Sequence, residues 1–297
     1  MANELLHSEP LIVIAGPTAS GKSSMALAMA ESLDAEIVSI DSMQLYRDIP
    51  IGTAQPTIQE RLQRPHHLVG IYGFEQRAEV YTFVEMAEKA IADILDRGKR
   101  AILCGGTGLY LKALLYGLDP LPGDEELKKT LDRQYDSAEM LPELQSQLIR
   151  LGDEAVVNKF TNNRRRLIRA LEIRLLTGRS ILELQQEYKP ALRYKLDQAF
   201  YLEHDRTVLQ QRIALRTAQM LDSGWIDEAR RAIENGLLES PTAHQALGYK
   251  IINRYLNGEI SREKLQELII TATWQYARRQ QTWFRHQHPE LAVKKLS

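Results

Sequence analysis

A segment near the amino terminus combines the residue types and the spacing that bind phosphate: Gly16, Pro17, Thr18, Ala19, Ser20, Gly21, Lys22 and Ser23. It follows an apolar run and precedes apolar residues at helical intervals, so it connects a strand to a helix, as a P-loop does. Backbone N–H groups around such a turn, with the helix amino terminus behind them, form a concave anion site. Lys22 adds a positive charge and Ser23 a hydroxyl ligand for Mg²⁺. The segment therefore predicts a site for a diphosphate-like group.

A P-loop does not specify what is attached to the diphosphate. A regulatory GTPase needs an Asn-Lys-x-Asp string, and the nearest string, Asn158-Lys159-Phe160-Thr161, lacks the acid, so this class is excluded. A small-molecule kinase stays possible, because such enzymes combine a P-loop with an Asp near the substrate and arginines in a lid. A P-loop protein that binds RNA without catalysis is a third possibility.

A carboxylate, Asp41, ends the second predicted strand at residues 36–41. Open α/β sheets bind ligands outside the carboxyl ends of their strands, which places Asp41 beside the P-loop. There it could accept a proton during the reaction. Two other roles stay open: holding Mg²⁺ through water and capping the turn that follows the strand.

Strand and helix patterns alternate around these residues. Buried strands are predicted at residues 11–15, 36–41, 100–104 and 198–203, and a helix from about residue 82 to 96. This alternation predicts an α/β fold, a P-loop NTPase-like parallel sheet flanked by helices. Amphipathic helices, the last long one capped by Ser261, are predicted to continue to the carboxyl terminus.

Between residues 124 and 192 the strand patterns are missing. Apolar residues recur there at helical intervals, as in Leu127, Leu131 and Tyr135, and in Leu167, Leu171 and Leu175, with Gly178 as a helix stop. Residues 124–192 are therefore predicted to form an all-helical insertion domain, and residues 1–123 with 193–297 the P-loop core.

The overall charge gives no sign of nucleic-acid binding, but its distribution does. The 297 residues include 38 Lys and Arg against 39 Asp and Glu. The bases concentrate in two stretches: Arg164, Arg165, Arg166, Arg169 and Arg174, and Arg278, Arg279 and Arg285. No apolar run approaches the roughly 18 residues of a membrane span. Residues 1–10 lack the basic start of a secretory signal, so the cytoplasm is expected.

The single cysteine, Cys104, excludes an internal disulfide and any zinc site that needs paired cysteines. It follows apolar residues and is predicted to be a small buried residue at a strand end. His66 and His67 are assigned to a loop after Pro65. With no further ligand at metal spacing, no metal site is predicted from the histidines.

Further strings occur in a fixed order along the chain. They are Asp41-Ser42-Met43-Gln44-Leu45-Tyr46-Arg47, Ile51-Gly52-Thr53-Ala54, Gly105-Gly106-Thr107-Gly108-Leu109-Tyr110, Arg165-Arg166-Leu167-Ile168-Arg169-Ala170-Leu171-Glu172, Gly248-Tyr249 and Arg278-Arg279-Gln280-Gln281-Thr282-Trp283-Phe284-Arg285. Together with the P-loop, they resemble the bacterial tRNA dimethylallyltransferases over nearly the whole chain. The ordered set is far more specific than any one string.

The resemblance implies transfer of a dimethylallyl group from dimethylallyl diphosphate, with Mg²⁺, to the N6 amine of an adenosine in the tRNA anticodon stem-loop. That adenosine is the one 3′-adjacent to the anticodon in tRNAs that read codons beginning with U. A monomer that does not bind membranes is expected. The chain departs from the family where Gln55 replaces a frequent Lys and Lys250 a frequent Arg. No diphosphate contact is therefore assigned to Gln55, and only a phosphate-type contact to Lys250.

The resemblance also implies roles for individual residues. Asp41 is the expected general base, and Thr107 the second hydrogen-bond partner of the amine. Residues 16–23 and Arg216 are expected to hold the diphosphate, with Ser23 on the metal, although Arg212 and Arg216 could instead form a solvated helix face. The expected tRNA contacts are Asp41, Ser42, Met43, Gln44, Arg165, Arg166, Arg169, Gln245, Gly248, Tyr249, Lys250, Arg278, Arg279, Gln280, Thr282, Trp283 and Arg285.

Overall fold

The computed structural model describes residue 6 and residues 9–118, 121–188 and 190–296. Most of the amino-terminal segment that argues against a secretory signal lies outside these residues. The chain divides into two compact units, Met1–Gly117 with Leu192–Ser297, and Leu118–Ala191. Within the described part of the chain, no helix is long and apolar enough to cross a membrane.

One parallel sheet organises the first unit. Its strands among the described residues are β1 (Leu11–Ala15), β2 (Ala35–Ile40), β3 (His66–His67), β4 (Arg100–Gly105), β5 (Leu196–His204) and β6 (Ala292–Leu296). Their order across the sheet is β3-β2-β4-β1-β5-β6, and every neighbouring pair is parallel. All carboxyl ends therefore meet at one edge, where ligands of such sheets bind. The predicted parallel α/β fold is confirmed.

Helices connect and cover these strands. In the described residues they are α1 (Lys22–Leu33), α2 (Ile58–Gln63), α3 (Val80–Asp96), α4 (Gly108–Tyr116), α5 (Glu125–Gln134), α6 (Leu141–Arg150), α7 (Glu154–Phe160), α8 (Arg164–Thr177), α9 (Ile181–Glu187), α10 (Arg206–Asp222), α11 (Trp225–Glu234), α12 (Tyr249–Leu256) and α13 (Arg262–Gln287). In the first unit, α1 packs on β1, β2 and β4, and α13 packs on α4, α10 and α12. Ser261 caps α13, as predicted, by accepting a hydrogen bond from the backbone N–H of Lys264.

The core behind the phosphate-binding edge lies between α1 and the central strands. All five residues of β1 are at most 1% exposed. Ala26 and Ala30 of α1 pack against Ile12, Ile37 and Ile102 in one buried cluster. Because alanine is small, the helix axis can lie close to the sheet, which fixes the position of the α1 amino terminus behind the P-loop.

Two edge strands differ from the expectation. His66 and His67 pair with Ile37 and Val38 as β3, so their assignment to a loop is wrong. The chain beyond Gln287 is not helical but forms β6, an edge strand paired with β5. Both strands are short and polar, and edge strands of this kind lack the apolar runs that reveal central strands. Cys104 is 8% exposed near the end of β4, as predicted.

The second unit contains α5 to α9 and no strand among its described residues. Its buried core includes Leu131, Leu144, Leu148 and Leu171. Gly178 ends α8 in the left-handed conformation, with φ of 70°, as its position in the sequence predicts.

A buried carboxylate, Glu36, lies at the amino-terminal end of β2, the end away from the P-loop. Glu36 is 6% exposed. It accepts hydrogen bonds from both terminal nitrogens of Arg97 and lies 2.7 Å from Nε2 of His67. Hydrogen bonds from Arg97, followed by the bond to His67, lower the pKa of Glu36 to about 2 even though burial opposes this shift. The ionised carboxylate is therefore favoured by folding.

We expect Glu36→Gln to make the protein less stable by roughly 2 kcal/mol at neutral pH, because hydrogen bonds to a charged group are lost. A depressed pKa contributes stability above the unfolded value and loses it as pH falls towards the folded value. The difference between wild type and variant should therefore shrink from about pH 4.5 to about pH 2. Urea unfolding at several pH values measures it, with the exposed Glu31→Gln as control. A difference independent of pH would contradict the linkage.

Candidate active site at the carboxyl edge of the sheet

The P-loop joins β1 to α1 in the conformation that its glycines allow. Gly21, with φ of 86°, immediately precedes α1, and no side chain caps the first turn of that helix. The N–H groups of this turn are therefore available to an anion. A side chain on Gly16 would lie 2.6 Å from Oγ of Ser20, so only glycine fits where the loop leaves β1.

Side chains from distant parts of the sequence hold the P-loop in place. Nε of Arg212 donates to the carbonyl of Ala19 at 2.8 Å, and Nε2 of His204 lies 2.9 Å from the carbonyl of Ser20. The backbone N–H of Thr18 donates to Oε1 of Gln280 at 2.9 Å. The sequence gives no local signal for these contacts. Arg212 is exposed, yet its Nε is bound to the P-loop.

A cavity of about 560 Å³ opens beside the P-loop, between the strand ends and helices α10 and α13. Many of the residues expected at the site line it: Thr18, Ala19, Lys22, Ser23, Asp41, Ser42, Met43, Gln44, Arg216, Gln245, Arg279 and Gln280. Four P-loop residues and the segment after β2, more than fifteen positions apart in sequence, thus face one volume.

Two cations face this cavity without an acidic ion-pair partner. Arg216 enters from α10 and has no hydrogen bond or ion pair with any residue that the structure describes. Lys22 donates to the carbonyl of Pro17 at 3.3 Å. Loss of hydration on burial lowers the pKa of both groups, and the single nearby carboxylate, Asp41, only partly offsets this. Two desolvated cations that face one cavity favour a bound anion.

Asp41 and Thr107 meet at the ends of β2 and β4. Oδ1 of Asp41 accepts a hydrogen bond from the N–H of Met43 at 3.0 Å, so Asp41 does cap the following turn. The N–H of Ser42 donates to Oγ1 of Thr107 at 3.2 Å. Burial raises the pKa of Asp41, and Lys22 is the largest opposing influence. The carboxylate that serves this turn also lines the cavity.

Gln44 lines the cavity, but the oxygen and the nitrogen of its side-chain amide are both hydrogen-bonded within the protein. Its Oε1 accepts from Oγ of Ser39 at 2.8 Å, and its Nε2 donates to the carbonyl of Ala54 at 2.8 Å. Nε2 of Gln55 donates to the carbonyl of Tyr46 at 2.7 Å. Both amides hold the segment after Asp41 in its fold, and Ser42, Met43 and Gln44 of that segment line the cavity.

Gly248 and Tyr249, both predicted as RNA contacts, are buried. Tyr249 is 0% exposed and donates from its hydroxyl to Oε1 of Glu228 at 2.6 Å. Glu228 also accepts from the backbone N–H groups of Ile51 and Gly52 at 2.7 and 2.9 Å. A side chain on Gly248 would collide with Trp225. The pair therefore supports the loop that leads into the cavity, whereas Gln245 and Lys250 are exposed.

Of the α13 residues predicted to contact tRNA, some are exposed and others are buried. Arg278, Arg279, Thr282 and Arg285 are exposed. Gln280 is 7% exposed and bound to the P-loop, and it also lines the cavity, so its RNA contact stays a prediction. Trp283 is half-buried and packs where a side chain on Gly108 would lie.

In the second unit, α8 presents two of its three expected arginine contacts to solvent. Arg165 and Arg166 are exposed. Arg169 is half-buried and donates to Oε2 of the buried Glu172 at 2.7 Å and to the carbonyl of Leu121 at 3.2 Å. Its guanidinium is therefore engaged inside this unit.

Comparison with known proteins agrees with this geometry. The chain matches the family models described as IPP transferase, over residues 44–287, and Isopentenyl transferase, over residues 10–68. The tRNA dimethylallyltransferase of Geobacter metallireducens is 40% identical over 93% of this chain and 89% of that protein. The solved tRNA isopentenylpyrophosphate transferase of Bacillus halodurans is 35% identical, with a TM-score of 0.70 over 97% of this chain and 90% of the other.

A eukaryotic dimethylallyltransferase acting on tRNA is 29% identical, with a TM-score of 0.79 over 97% of this chain and 74% of the other. The sequence match and the shared fold thus both extend over nearly the whole chain. The chain belongs to the IPP transferase family, the family of the tRNA dimethylallyltransferases.

Proposed function

We propose that this protein transfers a dimethylallyl group from dimethylallyl diphosphate to the N6 amine of the adenosine 3′-adjacent to the anticodon in tRNAs that read codons beginning with U. The observation that carries the proposal is one cavity lined by P-loop residues, by two cations without an ion-pair partner among the described residues, and by the carboxylate of Asp41. Ser42, next to Asp41, is hydrogen-bonded to the hydroxyl of Thr107. The names of the relatives support both the donor group and the tRNA acceptor.

The P-loop edge suits the leaving diphosphate. The first-turn N–H groups of α1, Lys22 and Arg216 converge on the cavity and stabilise negative charge as it develops on the leaving group. Ser23 lines the same volume and makes no hydrogen bond with another described residue, which fits a hydroxyl ligand of Mg²⁺. Bound Mg²⁺ would neutralise further diphosphate charge.

Asp41 and Thr107 suit the acceptor amine. In the reaction a C–N bond forms between N6 and the allylic carbon, the C–O bond to diphosphate breaks, and one N6 proton leaves. The lone pair of this amine is delocalised into the ring, so transfer needs a proton acceptor, and Asp41 supplies a carboxylate oxygen. Burial raises the pKa of Asp41, which makes it a stronger base once it is ionised.

The tRNA must present an unstacked base to a cavity at a sheet edge. The adenosine is stacked in its loop, so we infer that it is extruded, with backbone phosphates held outside the cavity. The exposed Arg278, Arg279 and Arg285 of α13 supply cations for those phosphates. Arg165 and Arg166 of α8, in the second unit, are exposed as well and are predicted to bind tRNA phosphates. Such contacts position the RNA without reading its sequence.

The test is incubation of the purified protein with labelled dimethylallyl diphosphate, Mg²⁺ and an unmodified tRNA. We expect one prenylated adenosine per tRNA, one diphosphate released per transfer and no consumption of added ATP. Stoichiometric ADP formation would support a kinase instead. Tight tRNA binding without transfer would support a catalytically silent RNA-binding protein.

We expect Arg278→Ala to weaken tRNA binding and to reduce the log–log slope of affinity against salt by roughly 0.7 to 0.9, the value for one phosphate contact. Arg279 lines the cavity and lies 5.8 Å from the ring of Tyr276, so Arg279→Ala should in addition lower kcat. Filter binding across a salt series, with steady-state kinetics, measures both. If a variant carrying both Arg278→Ala and Arg279→Ala bound tRNA with wild-type affinity and wild-type salt slope, α13 would not be part of the RNA-binding surface.

A further inference from the structure

The carboxyl-terminal half of α13 holds the glycine-rich turn after β4 as well as carrying exposed arginines. Gln280 donates from Nε2 to the carbonyl of Gly106 at 2.9 Å. Trp283 packs on Gly108, and Nε2 of His288, just beyond the helix, lies 2.9 Å from the Gly108 carbonyl. This helix is therefore fixed to the segment that carries Thr107.

The Gln280 amide also reaches the P-loop. Its Oε1 accepts the N–H of Thr18 at 2.9 Å, so one side chain bridges the P-loop and the Gly106 carbonyl. A side chain on Gly106 would lie 2.4 Å from Nε2 of Gln280 and 3.2 Å from the carbonyl oxygen of Gly16. The P-loop, the turn after β4 and α13 thus meet at Gly106, where a larger residue would not fit. The Gln280 amide accepts a hydrogen bond with its oxygen and donates one with its nitrogen.

We propose that Gln280 is a positioning residue that sets the distance between the diphosphate site and the acceptor-amine site, an inference that rests on the proposed function. The P-loop anchors the diphosphate, and the turn after β4 places Thr107 beside Ser42 and Asp41. Attack requires reacting atoms about 3 to 3.5 Å apart, and a shift of about 1 Å can cost on the order of 10²-fold in rate. A side chain that ties the two anchors therefore controls the rate rather than RNA affinity.

The first test is Gln280→Met, which keeps the length and removes both hydrogen bonds. We expect kcat to fall by about 10- to 100-fold, with tRNA affinity and its salt slope unchanged. Gln266→Met, on the same helix and half-buried, should behave like wild type. Transfer by wild type in the same assay establishes the proposed function separately. Unchanged kcat, or weaker tRNA binding with a changed salt slope, would overturn the positioning role.

The second test is Gln280→Glu, which is isosteric and serves if the Met variant does not fold. An ionised carboxylate can accept the Thr18 N–H but repels the Gly106 carbonyl, whereas a protonated one can donate to it. This buried carboxyl should have a raised pKa, so activity relative to wild type should rise as pH is lowered from 8 to 6. Tyr276, which is hydrogen-bonded to this amide, has a pKa raised by burial and stays neutral in that range. Asp41 and Arg279 line the same cavity, but both are present in wild type, so their own titration cancels in the activity ratio. An activity ratio independent of pH would overturn the proposal.

Discussion

Replacing Asp41 by Asn is expected to lower kcat by about 10² to 10⁴ fold, the usual contribution of a general base. Asparagine retains an oxygen that can accept the Met43 N–H, which donates to Oδ1 of Asp41 at 3.0 Å, so the turn after β2 should persist. The variant therefore removes the proton acceptor and keeps the cap. Affinities for tRNA and for diphosphate, measured separately, should stay within about threefold of wild type.

The pH profile distinguishes a base from a recognition residue. Burial raises the pKa of Asp41 above its ordinary range, although Lys22, the N–H groups of Met43 and Gln44, and Arg216 oppose the shift. The base acts when it is deprotonated, so wild-type kcat/KM should fall as pH drops through this raised value. The Asn variant should lack that acidic limb. A collapse of tRNA affinity with kcat preserved would instead make Asp41 a recognition residue.

The parts of the site that the sequence predicts are encoded locally. Each is a short string placed directly after a strong strand pattern: residues 16–23 follow β1, and Asp41 follows β2. In a parallel sheet the ends of neighbouring strands meet at one edge, so these local signals are sufficient to bring Lys22 and Asp41 to one cavity.

The contacts that hold those strings are not encoded locally. Gln280 lies 262 residues from Thr18, and Arg212 lies 193 residues from Ala19. In the sequence, Gln280 stands among arginines and resembles an RNA contact, and only the packing of α13 shows that it points inward. Glu228 and Tyr249 are a comparable case. Their polar side chains suggest exposed helix surfaces, but the two are hydrogen-bonded to each other, and Glu228 also accepts from the N–H of Gly52.

Replacing Arg216 by Met is expected to weaken binding of inorganic diphosphate by about 10² to 10³ fold, because truncating one partner of a buried charge pair costs about 2 to 5 kcal/mol of binding free energy. Arg216 is a desolvated cation with no ion-pair partner among the described residues, so it should cost stability while the site is empty. The same variant should therefore raise the unfolding free energy of the unliganded protein, by about 0.5 to 2 kcal/mol. Calorimetric titration and thermal melting measure the two effects.

Arg212→Met provides the matched control one helical turn earlier. Arg212 donates to the Ala19 carbonyl at 2.8 Å, so its loss should lower stability rather than raise it. Added diphosphate should raise the melting temperature of wild type, because a ligand at 100 times its Kd stabilises by about 2.7 kcal/mol. At that same concentration it should leave Arg216→Met nearly unchanged. If Arg216→Met were less stable than wild type and bound diphosphate equally well, Arg216 would be a structural residue and not part of the diphosphate site.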